Sequence, residues 1–346
     1  MAFKVGVGLF TAQVPEGSGR SFQNEYSDIL ELTRLVESRG LDAAWVSEHH
    51  FSADGYLPSL LPLLGAMAAV TSRIELGTGV VLAPFHEPLR LAEDFAVVDQ
   101  ISGGRVIAGF GIGWREEEFR AFGIEVSTRV RRTREIVEIL RLAWNEDYFD
   151  YAGKHYSYSK VKVTPKPARV PPILVGGFVD DAIRRAGRIG DGYISSRAQP
   201  ERVQQALAMA AEERAKAGHP GPPIVALLQN AFVTEDPERD WPMVRDGIGH
   251  QLGVYSGWRN GTDVAGKPLE IAPPDEDSTR TTTAFGTPEQ VLEFLTPLAG
   301  ILGAYPESHL ILRQHYPGMT AEDASRSIEL LAKEVVPALK EAAASG

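Results

Sequence analysis

Residues 41–51, Leu-Asp-Ala-Ala-Trp-Val-Ser-Glu-His-His-Phe, decide how this chain is read. Ala43, Ala44, Trp45 and Val46 form an apolar run of strand length, and three titratable side chains, Glu48, His49 and His50, follow at once. Such a run reads as a short buried strand. In α/β proteins the loop leaving the carboxyl end of a strand is where chemistry is placed. An imidazole beside a carboxylate supplies a proton-transfer group that works near neutral pH.

Outward from this strand the chain alternates. A helix over Asn24–Ser38, with Ile29, Leu32 and Val36 on one face and Gly40 as its stop, precedes it. A helix over Pro58–Val70 and a strand over Ile74–Leu82 follow. The same rhythm predicts strands at Val5–Phe10, Arg105–Phe110, Ile173–Val175, Tyr193–Ser195, Ile224–Val233 and Leu310–Leu312. Between and after them it predicts helices at Leu89–Ile101, Thr128–Trp144, Asp180–Ile189, Glu201–Ala217, Pro288–Leu302 and Ala321–Lys340. Strands separated by helices pair in parallel through right-handed crossovers. Eight such units close into a (β/α)8 TIM barrel, whereas an open doubly wound sheet stops at five or six. One domain over 1–346 is expected, with two interruptions. Residues 148–167, with Tyr151, Tyr156 and Tyr158, read as an inserted hairpin, and 252–284, rich in Gly, Thr, Asp and Pro, as a long mobile loop, either a lid or partly disordered.

Composition narrows the function. With 346 residues, 43% of them hydrophobic, there is ample material for a large core. A net charge of −11 argues against nucleic acid or an anionic membrane as partner. The absence of cysteine removes disulfides, thiolate nucleophiles and Cys-ligated metals. No apolar run approaches the roughly 20 residues that span a bilayer. The opening Met-Ala-Phe-Lys-Val-Gly-Val-Gly has no signal-peptide form, so a cytoplasmic location is expected.

In a barrel the strand ends carry the site. Gly77-Thr78-Gly79-Val80 places glycines where a strand disfavours them, which suggests unusual backbone or close approach of a flat ligand. Gly109-Phe110-Gly111-Ile112-Gly113-Trp114 only superficially resembles a dinucleotide fingerprint, since its spacing is wrong and no acidic residue follows the next strand. Val175-Gly176-Gly177-Phe178-Val179 runs straight into a helix, a favourable place for an anion. Asp180 and Asp181 oppose that, and Arg129, Arg131 or Arg132 could offset them. The eight histidines are missing from the ends of strands one, four, five and six, so no metal centre is expected, and no Gly-x-Ser-x-Gly elbow is present. What remains is an opening lined by glycine, aromatic residues (Phe10, Trp45, Phe51, Trp114), an anion cradle and a histidine. This suits a planar, phosphate-bearing cofactor.

Several stretches together resemble the bacterial-luciferase-like flavin-dependent monooxygenases: Gly40–Phe51, Ile74–Asp99, Gln100–Gly113, Lys160–Pro165, Ile173–Gly192 and Gly286-Thr287-Pro288. The resemblance implies a (β/α)8 barrel with an insertion, and FMN supplied reduced by a partner flavin reductase. Oxygen would add at the 4a carbon of the flavin, and the resulting peroxide would attack a small organic substrate. It implies His49 as the catalytic histidine with Glu48 and His50 beside it, a cis peptide at Gly79–Val80, and a phosphate loop of Gly176, Gly177, Phe178 and Val179. The luciferase cysteine and arginine after the fourth strand appear as Gly111 and Ile112, and the acidic and hydroxyl residues of the phosphate loop as Phe178 and Val179, which argues against luciferase activity itself and leaves the phosphate to backbone amides and an arginine such as Arg129. A homodimer is implied by resemblance only. One branch of the superfamily uses a deazaflavin coenzyme for hydride transfer, and a flavin-binding protein without catalysis is the third reading.

Overall fold

The computed structural model describes residues 2–196, 198–260 and 275–345. Eight parallel strands form a closed ring: β1 (Ala2–Phe10), β2 (Ala43–Val46), β3 (Glu75–Thr78), β4 (Val106–Gly111), β5 (Ile173–Gly176), β6 (Gly192–Ser195), β7 (Ile224–Val233) and β8 (Glu307–Arg313). Each pairs with its neighbour in chain order, and β8 returns to β1 with Val5 opposite Leu310, so no edge is left open. Helices α1 (Phe22–Ser38), α2 (Leu60–Ala69), α3 (Pro88–Ser102), α4 (Arg129–Asn145), α5 (Asp180–Ile189), α6 (Pro200–Lys216), α7 (Pro288–Gly303) and α8 (321–345) wrap the outside. This is the TIM barrel that the alternation of apolar runs requires.

Local chemistry sets the helix ends. Ser21 caps α1 by accepting from the Asn24 amide, and Thr287 with Gln290 and Thr320 with Asp323 form reciprocal capping boxes on α7 and α8. Gly103, at φ +71°, terminates α3 in the left-handed conformation that glycine adopts without penalty.

The inserted hairpin is present as antiparallel Phe149–Ala152 and Ser157–Val161. The third predicted strand is broken. It stops at Thr78, passes a cis Gly79–Val80 peptide, and resumes as Val81–Leu82 beside β4; Gly8–Leu9 is also cis. The long mobile loop expected over 252–284 is corrected. Residues 252–260 complete a helix, Pro237–Asn260, that the apolar pattern did not reveal, Glu276–Thr281 is a further helix, and Ala284–Gly286 pairs with β7. Only 261–274 of that stretch lie outside the described residues. The composition misled because polar, glycine-bearing segments still form helix when a few aromatic anchors pack against the barrel rim. No helix among the described residues is long and apolar enough to cross a membrane.

Inside the ring, Trp45 is fully buried with Ala43, Ile107, Leu174, Ala226 and Ile311. The indole leaves no room beside β3: a Cβ at Gly77 would lie 2.1 Å from Trp45 Cε3. The amino-terminal end of the barrel is closed by Lys4, whose Nζ donates to Glu75 at 2.6 Å and Glu307 at 3.1 Å, with His309 buried alongside. At the other end Leu9, Ile194 and Leu228, joined by Val80, form the last apolar layer and retain slight exposure. That layer is the floor of the carboxyl-terminal mouth, the face where barrels of this kind carry their sites.

Candidate active site

Because all eight strands run the same way, the segments after β2, β3, β4 and β5 emerge on one rim. His49 and Glu48 follow β2, Gly79 and Val80 follow β3, Gly111 ends β4, and Gly176 to Val179 leave β5. The glycines meet around common neighbours. A Cβ at Gly79 would lie 2.7 Å from Leu9 Cδ2, one at Gly111 2.6 Å from Val80 Cγ2, and one at Gly176 3.4 Å from Val80 Cγ1. Their missing side chains let Leu9, Val80 and Ile194 pack level with the rim. Gly177 has a packing reason of its own, since a Cβ there would strike Ala182 at 2.3 Å.

His49 is 5% exposed and lies at the centre of an aromatic enclosure. Its ring centroid is 5.0 Å from Tyr56, 5.4 Å from Tyr255, 4.7 Å from Trp258 and 6.1 Å from Trp114. Tyr255 and Trp258 come from the last turns of the Pro237–Asn260 helix, which therefore covers the histidine. The Arg115 guanidinium stacks over Trp258 at 4.5 Å and donates to the His50 carbonyl at 2.5 Å, tying the cover to the β2 loop.

The ring is oriented by Glu118, in a short helix (Glu116–Ala121) after β4. Glu118 Oε1 is 2.9 Å from His49 Nδ1 and also accepts from the His50 amide at 2.8 Å. A carboxylate only accepts, so Nδ1 is the nitrogen that donates to Glu118, and Nε2 is the one left to face a reacting group. Burial raises the Tyr56 hydroxyl above its ordinary range and Tyr255 well above it, so both remain neutral donors beside the histidine.

The other predicted residues take different places. Glu48 is turned away from the mouth: its oxygens take His50 Nε2 at 2.6 Å, His86 Nε2 at 2.9 Å and the Leu82 amide at 2.9 Å. Burial pushes this carboxyl up, yet His86 and His50 overcome it and hold it at about 2. It braces the β2 loop against the segment after β3, and His50 packs among Phe51, Phe85 and Phe122. Phe178 and Val179 point outward, 42% and 67% exposed. Among the described residues no hydrogen bond joins Arg129 to the β5 loop; its Nη1 reaches the Val126 carbonyl at 3.3 Å. Among the described residues Arg202, from the first turn of α6, hydrogen-bonds there, donating to the Phe178 carbonyl at 3.2 Å and to Asp180 at 2.7 Å. The residues that sequence reasoning missed are Glu118, Tyr56, Tyr255, Trp258 and Arg202. Only Glu118 left a signal, as the last of three consecutive acids just beyond the β4 glycines.

The model of the luciferase-like monooxygenase family matches residues 3–302. The chain is similar to a Kineococcus radiotolerans protein named F420-dependent glucose-6-phosphate dehydrogenase, with 35% identity over 166 residues, 46% of this chain and 49% of that protein. It thus spans about half the length of the curated relatives it matches. Among solved structures it resembles the monooxygenase RslO1 from Streptomyces bottropensis, with a TM-score of 0.80 and 26% identity over 97% of this chain and 99% of that one. It also shares the fold of the oxygenating constituent of 3,6-diketocamphane monooxygenase from Pseudomonas putida in complex with FMN, with a TM-score of 0.77 and 21% identity over 97% and 99%.

Proposed function

Because this chain belongs to the luciferase-like monooxygenase family, we propose that it is an oxidoreductase whose substrate meets a flavin-type tricyclic cofactor at the carboxyl-terminal mouth, with His49 as the proton-transfer group. The observation that carries this reading is His49 itself: Nδ1 tied to Glu118, Nε2 left for a substrate, and aromatic rings on every side. The residues present fit such a cofactor. The level layer of Leu9, Val80, Ile194 and Leu228 suits a flat ring system. The β5 loop leads into α5, which has no side-chain cap, and Arg202 adds positive charge for an anionic tail.

Within this reading we favour hydride transfer with a deazaflavin, supported by the F420-dependent name of a relative at 35% identity. His49 Nε2 takes the proton of a substrate hydroxyl as the adjacent carbon surrenders hydride, and returns it to a carbonyl oxygen in the reverse direction. The bound deazaflavin supplies the hydride acceptor or donor. Tyr56, Tyr255, Trp114 and Trp258 exclude water and hold the substrate against the imidazole.

FMN-dependent monooxygenation is the second reading. It is supported by the likeness to RslO1 along nearly the whole chain and by the aromatic rings packed around His49, which suit oxygen chemistry that water would spoil. It requires a reductase as transient partner.

Calorimetric titration with F420, oxidised FMN and reduced FMN, followed by turnover assays over a panel of alcohols, aldehydes and ketones, tests both. Anaerobic turnover with F420 alone supports hydride transfer, and turnover only with reduced FMN plus oxygen selects monooxygenation. Tight binding of an oxidised cofactor without turnover would identify a binding protein. Absence of binding by all three would overturn the proposal.

A further inference from the structure

Arg313 is the last residue of β8, opposite Asn230 of β7, so it stands on the rim that carries His49. It is 3% exposed. Among the described residues no carboxylate pairs with it, and its Nε is buried without an acceptor. With its amide oriented so that the oxygen faces the guanidinium, the only orientation that satisfies both groups, Gln251 from the helix that covers His49 takes Nη1 at 2.7 Å and Nη2 at 3.0 Å. The carboxylates whose charge reaches Tyr56 and Tyr255 are engaged elsewhere. Asp54 accepts from Gln13 at 2.6 Å and meets His250 at 2.8 Å, and Glu118 holds His49 and the His50 amide.

The surroundings of Arg313 are tyrosine. Its positive charge acts on the hydroxyls of Tyr56, Tyr255 and Tyr316, opposing the upward push of burial on each. The Tyr56 and Tyr255 hydroxyls are 3.2 Å apart, and both rings stand edge-on to His49. A guanidinium taken out of water without a counter-charge is costly, and a fork of N–H donors matches a carboxylate. The Gln251 oxygen occupies the place that one carboxylate oxygen would take, on the helix that also covers His49.

We propose that Arg313 is the anchor for an anionic substrate: it takes a carboxylate through its Nη groups, displacing Gln251, and aims the remainder of the molecule past Tyr56 and Tyr255 toward His49. The inference rests on the oxidoreductase reading for the identity of the mouth and adds the substrate class, a small organic acid. The carboxylate supplies the missing counter-charge. Neutral substrates of the same shape leave the guanidinium uncompensated, so discrimination runs in favour of the acid.

The test measures binding of acetate, hexanoate and benzoate, each against its own amide, to the full chain by calorimetry and thermal shift. Wild type, Arg313→Met, Arg313→Lys and Gln251→Ala are compared, and F420 and FMN are titrated into the same preparations. At least one acid is expected to bind wild type about 10-fold or more tighter than its amide. Arg313→Met should abolish that preference, Arg313→Lys should retain part of it, and Gln251→Ala should keep or strengthen it. Arg313→Met without ligand should melt no lower than wild type, because it removes an unpaired buried charge. Equal binding of acid and amide by wild type, or an acid preference that survives Arg313→Met, would overturn the proposal. Arg313→Met should bind cofactor as wild type does. A wild type that prefers acids but takes neither cofactor would overturn the oxidoreductase reading and leave the anion site standing.

Discussion

His49 and Glu118 stand 69 residues apart in the chain and meet through a 2.9 Å contact between Nδ1 and Oε1 in a buried setting. The pairing selects the tautomer and fixes the ring plane, so the imidazole presents Nε2 in one direction only. Replacing His49 by Ala should lower kcat by about 10²–10⁴-fold, with cofactor affinity unchanged by titration. Unaltered turnover would remove His49 from the mechanism.

Glu118 acts through His49 and is a positioning residue. A hydrogen bond to a charged group contributes about 1.5–3 kcal/mol. Glu118→Gln should therefore reduce kcat by about 10–100-fold and leave KM within a few-fold. A rise in KM with kcat preserved would show that Glu118 merely supports the loop.

Trp258 packs 4.7 Å from the His49 ring and carries Arg115 on its face. Aromatic contacts of this kind contribute about 0.5–1.5 kcal/mol beyond the area they bury. Trp258→Ala should raise KM several-fold and increase acrylamide quenching of bound cofactor, and Trp258→Phe should recover most of both. An unchanged KM would mean that the helix end does not cover the bound substrate.

Gly77 faces the Trp45 indole inside the barrel. Gly77→Ala places a methyl group where no atom can retreat, because Trp45 is fully buried. Overpacking of this kind costs about 1–3 kcal/mol, so the urea midpoint should fall measurably at unchanged slope. Wild-type stability in this variant would contradict the packing described for the barrel interior.

Glu48 links pH to stability. Burial raises its pKa, but His86 and His50 outweigh that and hold it at about 2, below the ordinary 4.5. A depressed acid stabilises the fold above its unfolded value, and the contribution disappears as pH falls from 4.5 through 2. The loss amounts to about 3 kcal/mol at most. Glu307 is also held at about 2, chiefly by the His309 imidazole, whose Nε2 lies 3.7 Å from its Oε1, against burial and with help from Lys4, and adds to the same acid limb. His86 behaves oppositely: burial lowers its pKa, Glu48 more than restores it, and its share fades as pH rises beyond 6.5. Glu48→Gln should flatten the acid limb of urea midpoint against pH, though Glu307 keeps part of the slope. A limb of undiminished steepness would show that Glu48 does not carry it.

The barrel was legible because parallel strands buried on both faces announce themselves as apolar runs. α5 and β7 match the sequence reading to the residue, and most other elements lie within two or three. The helix Pro237–Asn260 was not legible, since its apolar residues are few and serve as anchors for the rim instead of forming a stripe.

The site divides in the same way. Glu48-His49-His50 could be read because adjacent titratable groups after a buried strand are a local pattern. Sequence alone could also place Gly111 and Gly176 at or beside strand ends, because strand ends follow from element boundaries, whereas it set Gly79 inside a strand over Ile74–Leu82 that the structure breaks after Thr78. Only tertiary structure decided that Glu48 turns inward to His86, that Glu118 orients His49, that Tyr255 and Trp258 cover it, and that Arg313 on the same rim meets Gln251 and no carboxylate among the described residues. The physical reason is range. Periodicity and turn chemistry act over a few residues and are written in the local order of the chain. Each of these partnerships joins segments from 38 to about 200 residues apart, and barrel closure alone brings them within hydrogen-bonding or van der Waals reach.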